Sequence, residues 1–198
     1  MGLASPGASP HGGAPAAEGV PLLRPLGAAD ATALGAFVSA LSYGARYFRF
    51  GHGDTVLAAD ELHALCTPDP RDGVSYGVFA TAGGRVDMVG LAGYCVGRDP
   101  RACEFALVVA DAWQGRGIGR RLIATLADDA RRRGLWRLTG RVLASNRRML
   151  DCARESGFLV EPWEGSAVVM RVTLPLALSQ PPSGIASQSS AGCGRPNR

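Results

Sequence analysis

Residues 111–121 read Asp-Ala-Trp-Gln-Gly-Arg-Gly-Ile-Gly-Arg-Arg, which places Gly115, Gly117 and Gly119 within five positions. Glycine lets a backbone approach a ligand closely because no Cβ stands in the way. These glycines fall where a strand pattern gives way to a helix pattern. They therefore coincide with the unpaired N–H groups and positive dipole end of that helix. Such an arrangement holds a phosphate with little side-chain help. Arg116, Arg120 and Arg121 add charge for a second phosphate group. Two common phosphate motifs do not fit these letters. A Walker A loop needs a lysine, and this chain has none; the dinucleotide fingerprint G-x-G-x-x-G has a different spacing.

The elements that must position this loop follow from hydrophobic period and turn residues. Residues 20–26 read as a short first strand. Asp30 reads as a helix N-cap before Leu34, Phe37, Val38 and Leu41 at helical spacing, and residues 58–66 as a second helix ended by Pro68. Residues 75–81, 86–96 and 102–110 form a meander of strands with turns at Gly83-Gly84 and Asp99-Pro100. In the third, Phe105, Leu107 and Val109 alternate against Glu104, Ala106 and Val108. The period then changes: Ile118, Leu122, Ile123, Leu126, Ala127 and Ala130 trace one helix face that Gly134 ends. A strand over 135–143, a helix over 146–156 and strands over 158–160 and 167–174 complete the order. The expectation is an α/β (α+β) domain, a mixed sheet of about seven strands flanked by about four helices.

Gln114, Gly117 and Gly119 match the signature Q/R-x-x-G-x-G/A, and by it the chain resembles the GNAT superfamily of N-acetyltransferases. The likeness extends through residues 104–119, 140–150 and 156–158, and the run Leu-Ser-Tyr-Gly-Ala-Arg-Tyr-Phe-Arg-Phe at 41–50. Over these stretches it is similar to the bacterial protein lysine acetyltransferases, a group that includes enzymes acting on acyl-CoA synthetases. The resemblance implies acetyl-CoA as co-substrate, with its pyrophosphate on Gln114, Gly115, Arg116, Gly117, Ile118, Gly119 and Arg120. It implies that the pantetheine arm bonds to exposed backbone at Leu107, Val108 and Val109, where the strand splays from its neighbour. Asn146 matches a position that contacts the cofactor, and Asn equally suits a helix N-cap. Glu104 is similar in position to the general base, which is needed because an ammonium has no lone pair. Val109 is the candidate N–H donor to the oxyanion. One departure stands out: where many relatives place a tyrosine that protonates the leaving thiolate, this chain has Ala153, with Met149 and Cys152 nearby.

Composition narrows the alternatives. The net charge is +4 and every basic residue is arginine, a usage expected of a GC-rich genome. The arginines are scattered except for Arg131–Arg133, at a helix end where cations suit the dipole, so no nucleic-acid partner is expected. Five cysteines at wide spacing give no disulfide framework, and neither they nor the three histidines make a metal motif. No apolar run of about 18 residues and no secretory leader appear, which reads as a cytoplasmic protein without a membrane partner. Residues 1–19 and 177–198 have the composition of disordered tails around a domain at 20–176. Three functions compete: transfer to a protein lysine, transfer to a small amine, and non-catalytic sensing of acetyl-CoA. The sequence leaves the acceptor and the oligomeric state open.

Overall fold

The computed structural model describes residues 19–176; both expected tails lie essentially outside them. The elements run β1 (Leu22–Pro25), α1 (Ala31–Ala40), α2 (Tyr43–Phe50), α3 (Ala59–Cys66), β2 (Gly73–Ala82), β3 (Arg85–Val96), β4 (Ala102–Val109), α4 (Ile118–Arg132), β5 (Arg137–Leu143), α5 (Arg147–Glu155), β6 (Leu159–Pro162) and β7 (Val169–Pro175). They build one mixed seven-stranded sheet in the order β1-β2-β3-β4-β5-β7-β6, in which only β4 and β5 run parallel.

Five α-helices flank the sheet where about four were expected. The additional one is α2, whose aromatic sequence hides a helix. Its N-cap Ser42 accepts a hydrogen bond from Ala45 N (3.2 Å), and Gly51 closes it at φ +84°. Asp30 does stand at the start of α1, but its side chain does not cap that helix. It turns back to accept from Gly27 N (2.9 Å) and pairs with Arg24 (2.7 Å), which holds its carboxyl below the usual range. The β2–β3 turn has Gly83 and Gly84 at φ +58° and +72°, the pair of left-handed residues that a tight hairpin requires.

Two apolar clusters lie on opposite faces of the sheet. One packs Leu122, Ile123 and Leu126 of α4 against Val78, Ala92, Phe105, Leu138 and Val172. The other packs Leu34, Phe37 and Val38 of α1 against Phe79, Leu91 and Val108. Strands β2 to β4 are thus covered on both faces. On β5 and β7 the outward residues Arg137, Arg141 and Arg171 line an open cavity instead.

The far end of α4 is tied down by a buried polar knot. Asp129 accepts from Tyr94 Oη (2.5 Å) and Tyr76 Oη (3.4 Å), and pairs with Arg132 (3.2 Å) and Arg133 (2.8 Å). The carboxylate is largely removed from water, and these partners offset the cost of burying it. Burial and this carboxylate push the Tyr94 phenol far up from its ordinary pKa. Gly134, at φ +74°, then ends the helix as expected, with Leu135 N donating to Ala130 O (3.0 Å).

Candidate active site

The parallel ladder between β4 and β5 lasts three rungs: Ala102↔Arg137, Cys103↔Leu138 and Glu104↔Thr139. It stops at the next pair, where the Phe105 ring lies on Gly140; a Cβ there would come within 2.8 Å of the ring. Beyond this point each strand follows its other neighbour. β4 stays with β3 through Val109↔Gly90, and β5 stays with β7 through Leu143↔Val169. A gap therefore opens inside the sheet.

The ladder also fixes which backbone groups face that gap. Ala110 N donates to Val89 O (2.9 Å), and in an antiparallel pair such bonds alternate along the strand. Even-numbered residues of β4 thus turn their N–H and C=O to β3, and odd-numbered residues turn theirs to the gap. Thr139 Oγ1, which donates to Cys103 O (3.1 Å) from the β5 side, agrees with this phase. Leu107 and Val109 consequently present backbone to the gap. Val108 does not: its backbone faces β3 and its side chain is buried in the α1 cluster.

The glycine loop lies at the open end. Trp113, 6% exposed, anchors its start, and the Arg116 guanidinium lies 4.7 Å from the centre of the Trp113 ring. Gly115 and Gly117 have φ +75° and +78°, and open space surrounds the position that a Cβ would take on each. Gly117 is the N-cap of α4, and Arg121 N is already bonded to Gly117 O (3.1 Å). The N–H groups of Ile118, Gly119 and Arg120 precede that bond and have no partner within the helix. A cradle of open glycines under a helix N-terminus suits a diphosphate.

Gly119 serves a different purpose from its two neighbours. Its φ is unexceptional, but a Cβ would stand 3.3 Å from Cys152 Sγ, so it lets α4 and α5 pack closely. Gln114 is a clamp: its Nε2 donates to Val109 O (3.0 Å) and its Oε1 accepts from Arg148 (2.8 Å). Of the three arginines expected to add charge, Arg120 pairs with Glu155 (3.3 Å) and Arg121 donates to Pro21 O (2.6 Å). Asn146 caps α5, accepting from Met149 N (3.2 Å). Cys152 is half-buried against the loop helix, and burial raises its thiol pKa. Ala153 is fully buried in the core and offers no proton donor.

Glu104 occupies the last rung before the gap, on the sheet face that α2 covers farther along β4. Its Oε1 is paired with Arg141 Nε at 2.9 Å, and both side chains reach solvent. The carboxylate lines a cavity of about 640 Å³ together with Thr139, Arg141, Glu161, Trp163 and Arg171. Asp111, at the start of the loop, accepts from Ser42 N (3.2 Å) and Ser42 Oγ (2.9 Å) and so ties the loop to the N-terminus of α2. The sequence reading missed this link, the Arg141 partner and the whole of α2. Only Ser42 at a helix start was a legible signal for any of them.

Open glycines under a helix N-terminus, at the mouth of a split parallel pair with a carboxylate at the last rung, suit a coenzyme-dependent transferase. The family model described as Acetyltransferase (GNAT) family matches residues 45–158, and the chain belongs to that family. Acetyl-CoA is accordingly its co-substrate. An acetyltransferase of Pseudomonas aeruginosa is 29% identical over 155 residues, which cover 77% of this chain and 83% of that protein. The crystal structure of the GNAT domain of S. lividans PAT superposes with a TM-score of 0.71 at 28% identity, covering 80% of this chain and 92% of that one. The Vibrio cholerae spermidine N-acetyltransferase, solved with CoA and spermine, has the same fold. Its TM-score is 0.61 at 19% identity, over 80% of this chain and 96% of its own. Among the described residues no helix is long and apolar enough to cross a membrane, and no cluster of side chains is suited to a metal.

Proposed function

We propose that this acetyltransferase transfers the acetyl group to a lysine side chain of a cytoplasmic protein, with Glu104 as general base. The carrying observation is the charge pattern around Glu104. Both carboxylates of the cavity already have arginine partners: Glu104 with Arg141 at 2.9 Å, and Glu161 with Arg171 at 3.5 Å. A polyamine brings several cations and needs several spare carboxylates. A lysine brings one, at the end of an apolar stem. The likeness to S. lividans PAT at 28% identity points the same way, whereas that to the spermidine enzyme concerns the fold alone.

In this reading Glu104 takes the proton from the incoming ammonium, and the freed lone pair forms the N–C bond. The Val109 N–H, turned to the gap, donates to the oxygen on which negative charge develops. The C–S bond then breaks. With Ala153 where a tyrosine would stand, the sulfur leaves as thiolate; solvent takes the second proton that the nitrogen loses as the amide forms and returns one to the sulfur. Gly115, Gly117 and the first N–H groups of α4 hold the pyrophosphate, and the backbone of Leu107 and Val109 holds the pantetheine arm. Gln114 keeps loop and strand in register.

The test is to incubate the protein with labelled acetyl-CoA and a cell lysate. The chain contains no lysine, so any acetyl-lysine formed belongs to the acceptor. The expected result is label on lysines of one or a few lysate proteins. Label found only in the small-molecule fraction would overturn the lysine reading in favour of a small amine.

A further inference from the structure

Among the described residues, none forms an ion pair with Arg49. It lies in the last turn of α2, and its Nε is buried without an acceptor, a situation met by no other side-chain nitrogen or oxygen among the described residues. Its guanidinium carbon lies 4.8 Å from the centre of the Phe50 ring. Burial lowers the pKa of this guanidinium, and Cys95 opposes the shift. A buried donor without a partner costs stability, and a charged one costs more. Nothing in the packing of α2 requires that cost, since Ala45 and Phe50 supply the helix's contacts with the apolar cluster.

Its position suggests a use. Cys95 of β3 is directly opposite Glu104 of β4, and its thiol lies 3.8 Å from Glu104 O. Side chains of a directly opposed pair lie on one face, here the face on which α2 packs against β4. Arg49, which interacts with Cys95, therefore stands on the sheet face that carries the Cys95↔Glu104 rung of β3 and β4. Through Ser42 and Asp111 its helix is also fixed to the glycine loop.

We infer that Arg49 is a specificity-determining residue that pairs with a carboxylate carried next to the amine being acetylated. A planar guanidinium takes a carboxylate through two parallel hydrogen bonds, and desolvation strengthens them. That carboxylate belongs either to an acidic residue flanking the target lysine or to the α-carboxylate of a free amino acid. The inference rests on the reading of Glu104 as the acceptor's end of the site.

The test measures turnover of two lysine peptides that differ only in Glu or Gln beside the lysine, and of free lysine against lysinamide. The wild type should favour the carboxylate-bearing member of one pair by about tenfold in KM, the scale of one charge-assisted bond. Preference within the peptide pair identifies an acidic flank, and preference within the lysine pair identifies an α-carboxylate. Arg49→Met should bring the ratio to about one without lowering Tm, because it removes a buried Nε that has no acceptor; Arg49→Lys should restore part of the preference. Equal KM values in the wild type, or a preference that survives Arg49→Met, would overturn the inference. If no lysine acceptor is turned over at all, the proposed function fails. Arg49 is then judged by calorimetry with N-acetylglutamate and N-acetylglutamine on the CoA-loaded protein. Tighter binding of the glutamate by the wild type alone supports the carboxylate site, and equal binding of the two probes overturns it.

Discussion

The two sides of the split between β4 and β5 are built from different materials. Toward the loop, the candidate cofactor side is almost entirely backbone: the odd-numbered residues of β4, the open sides of Gly115 and Gly117, and the first N–H groups of α4. Toward Glu104, the candidate acceptor side is made of side chains from separate elements: Glu104 of β4, Arg141 of β5 and Arg171 of β7, with Arg49 of α2 the proposed addition. A backbone site depends on where the chain goes and on the absence of Cβ atoms. A side-chain site depends on pairs that meet only after folding. The first kind should tolerate replacement of most side chains and fail at a few glycines. The second should change its chemistry with single substitutions that leave the fold intact.

The largest expected effect tests the side-chain half. Glu104→Gln keeps size and hydrogen bonding but accepts no proton, so turnover should fall about 100- to 10,000-fold. Acetyl-CoA affinity should stay close to wild type, because the cofactor half is untouched. Wild-type activity should rise with pH as more lysine amine becomes neutral, and the mutant should recover part of its rate at high pH. Undiminished turnover at neutral pH would remove Glu104 from the chemistry.

Gly117→Glu tests the backbone half. At φ +78° any Cβ is strained by about 1–2 kcal/mol, and the new side chain brings negative charge into the open side of the cradle. Acetyl-CoA affinity measured by calorimetry should fall on the order of 10- to 100-fold, or about 1.4–2.8 kcal/mol, while circular dichroism reports the same fold. Unchanged affinity would place the cofactor elsewhere.

The smallest effect separates Gly119 from its neighbours. Gly119→Ala has no positive φ to offend, only the Cys152 sulfur at 3.3 Å from the new methyl. Stability should change by no more than about 1 kcal/mol. Combining it with Cys152→Ala should recover part of any loss, as a coupling of roughly 0.5 kcal/mol or more in a thermal double-mutant cycle. Strict additivity would show that the sulfur is not what keeps this position small.

The same division explains what could be read in advance. The meander, the helix after the loop and its stop at Gly134 are local patterns of period and turn residues, and each lies within a few residues of its expected place. The place of the glycine loop between β4 and α4 was equally legible, because a strand period gives way there to a helix period. The helix α2 was not: Tyr43, Tyr47 and Phe48 are 60%, 41% and 44% exposed, so most of its aromatics do not mark the inward face, which Ala45 and Phe50 supply. Nor could the sequence place β7 between β5 and β6 or pair Glu104 with Arg141. These facts depend on contacts distant in sequence: Glu104 meets Arg141 across 37 positions, and β7 reaches past β6 to pair with β5. Asp30 misled for a related reason: a six-residue reach to Arg24 outcompeted the local cap.

The interruption between β4 and β5 has a further consequence. An unpaired strand edge is ordinarily a hazard, since any passing extended chain can add to it. Here the edge lies inside the sheet, with β3 behind it and β5 converging on it from the other side. A foreign strand cannot lie along it without displacing β5, but a slender extended molecule can enter from the open end. The protein thus confines a stickiness that most folds suppress to a slot within its own sheet. Beyond Glu104, the side chains of Phe105, Leu107, Val108 and Val109 answer to the two apolar clusters, so this stretch can exchange residues of the same alternation without closing the slot.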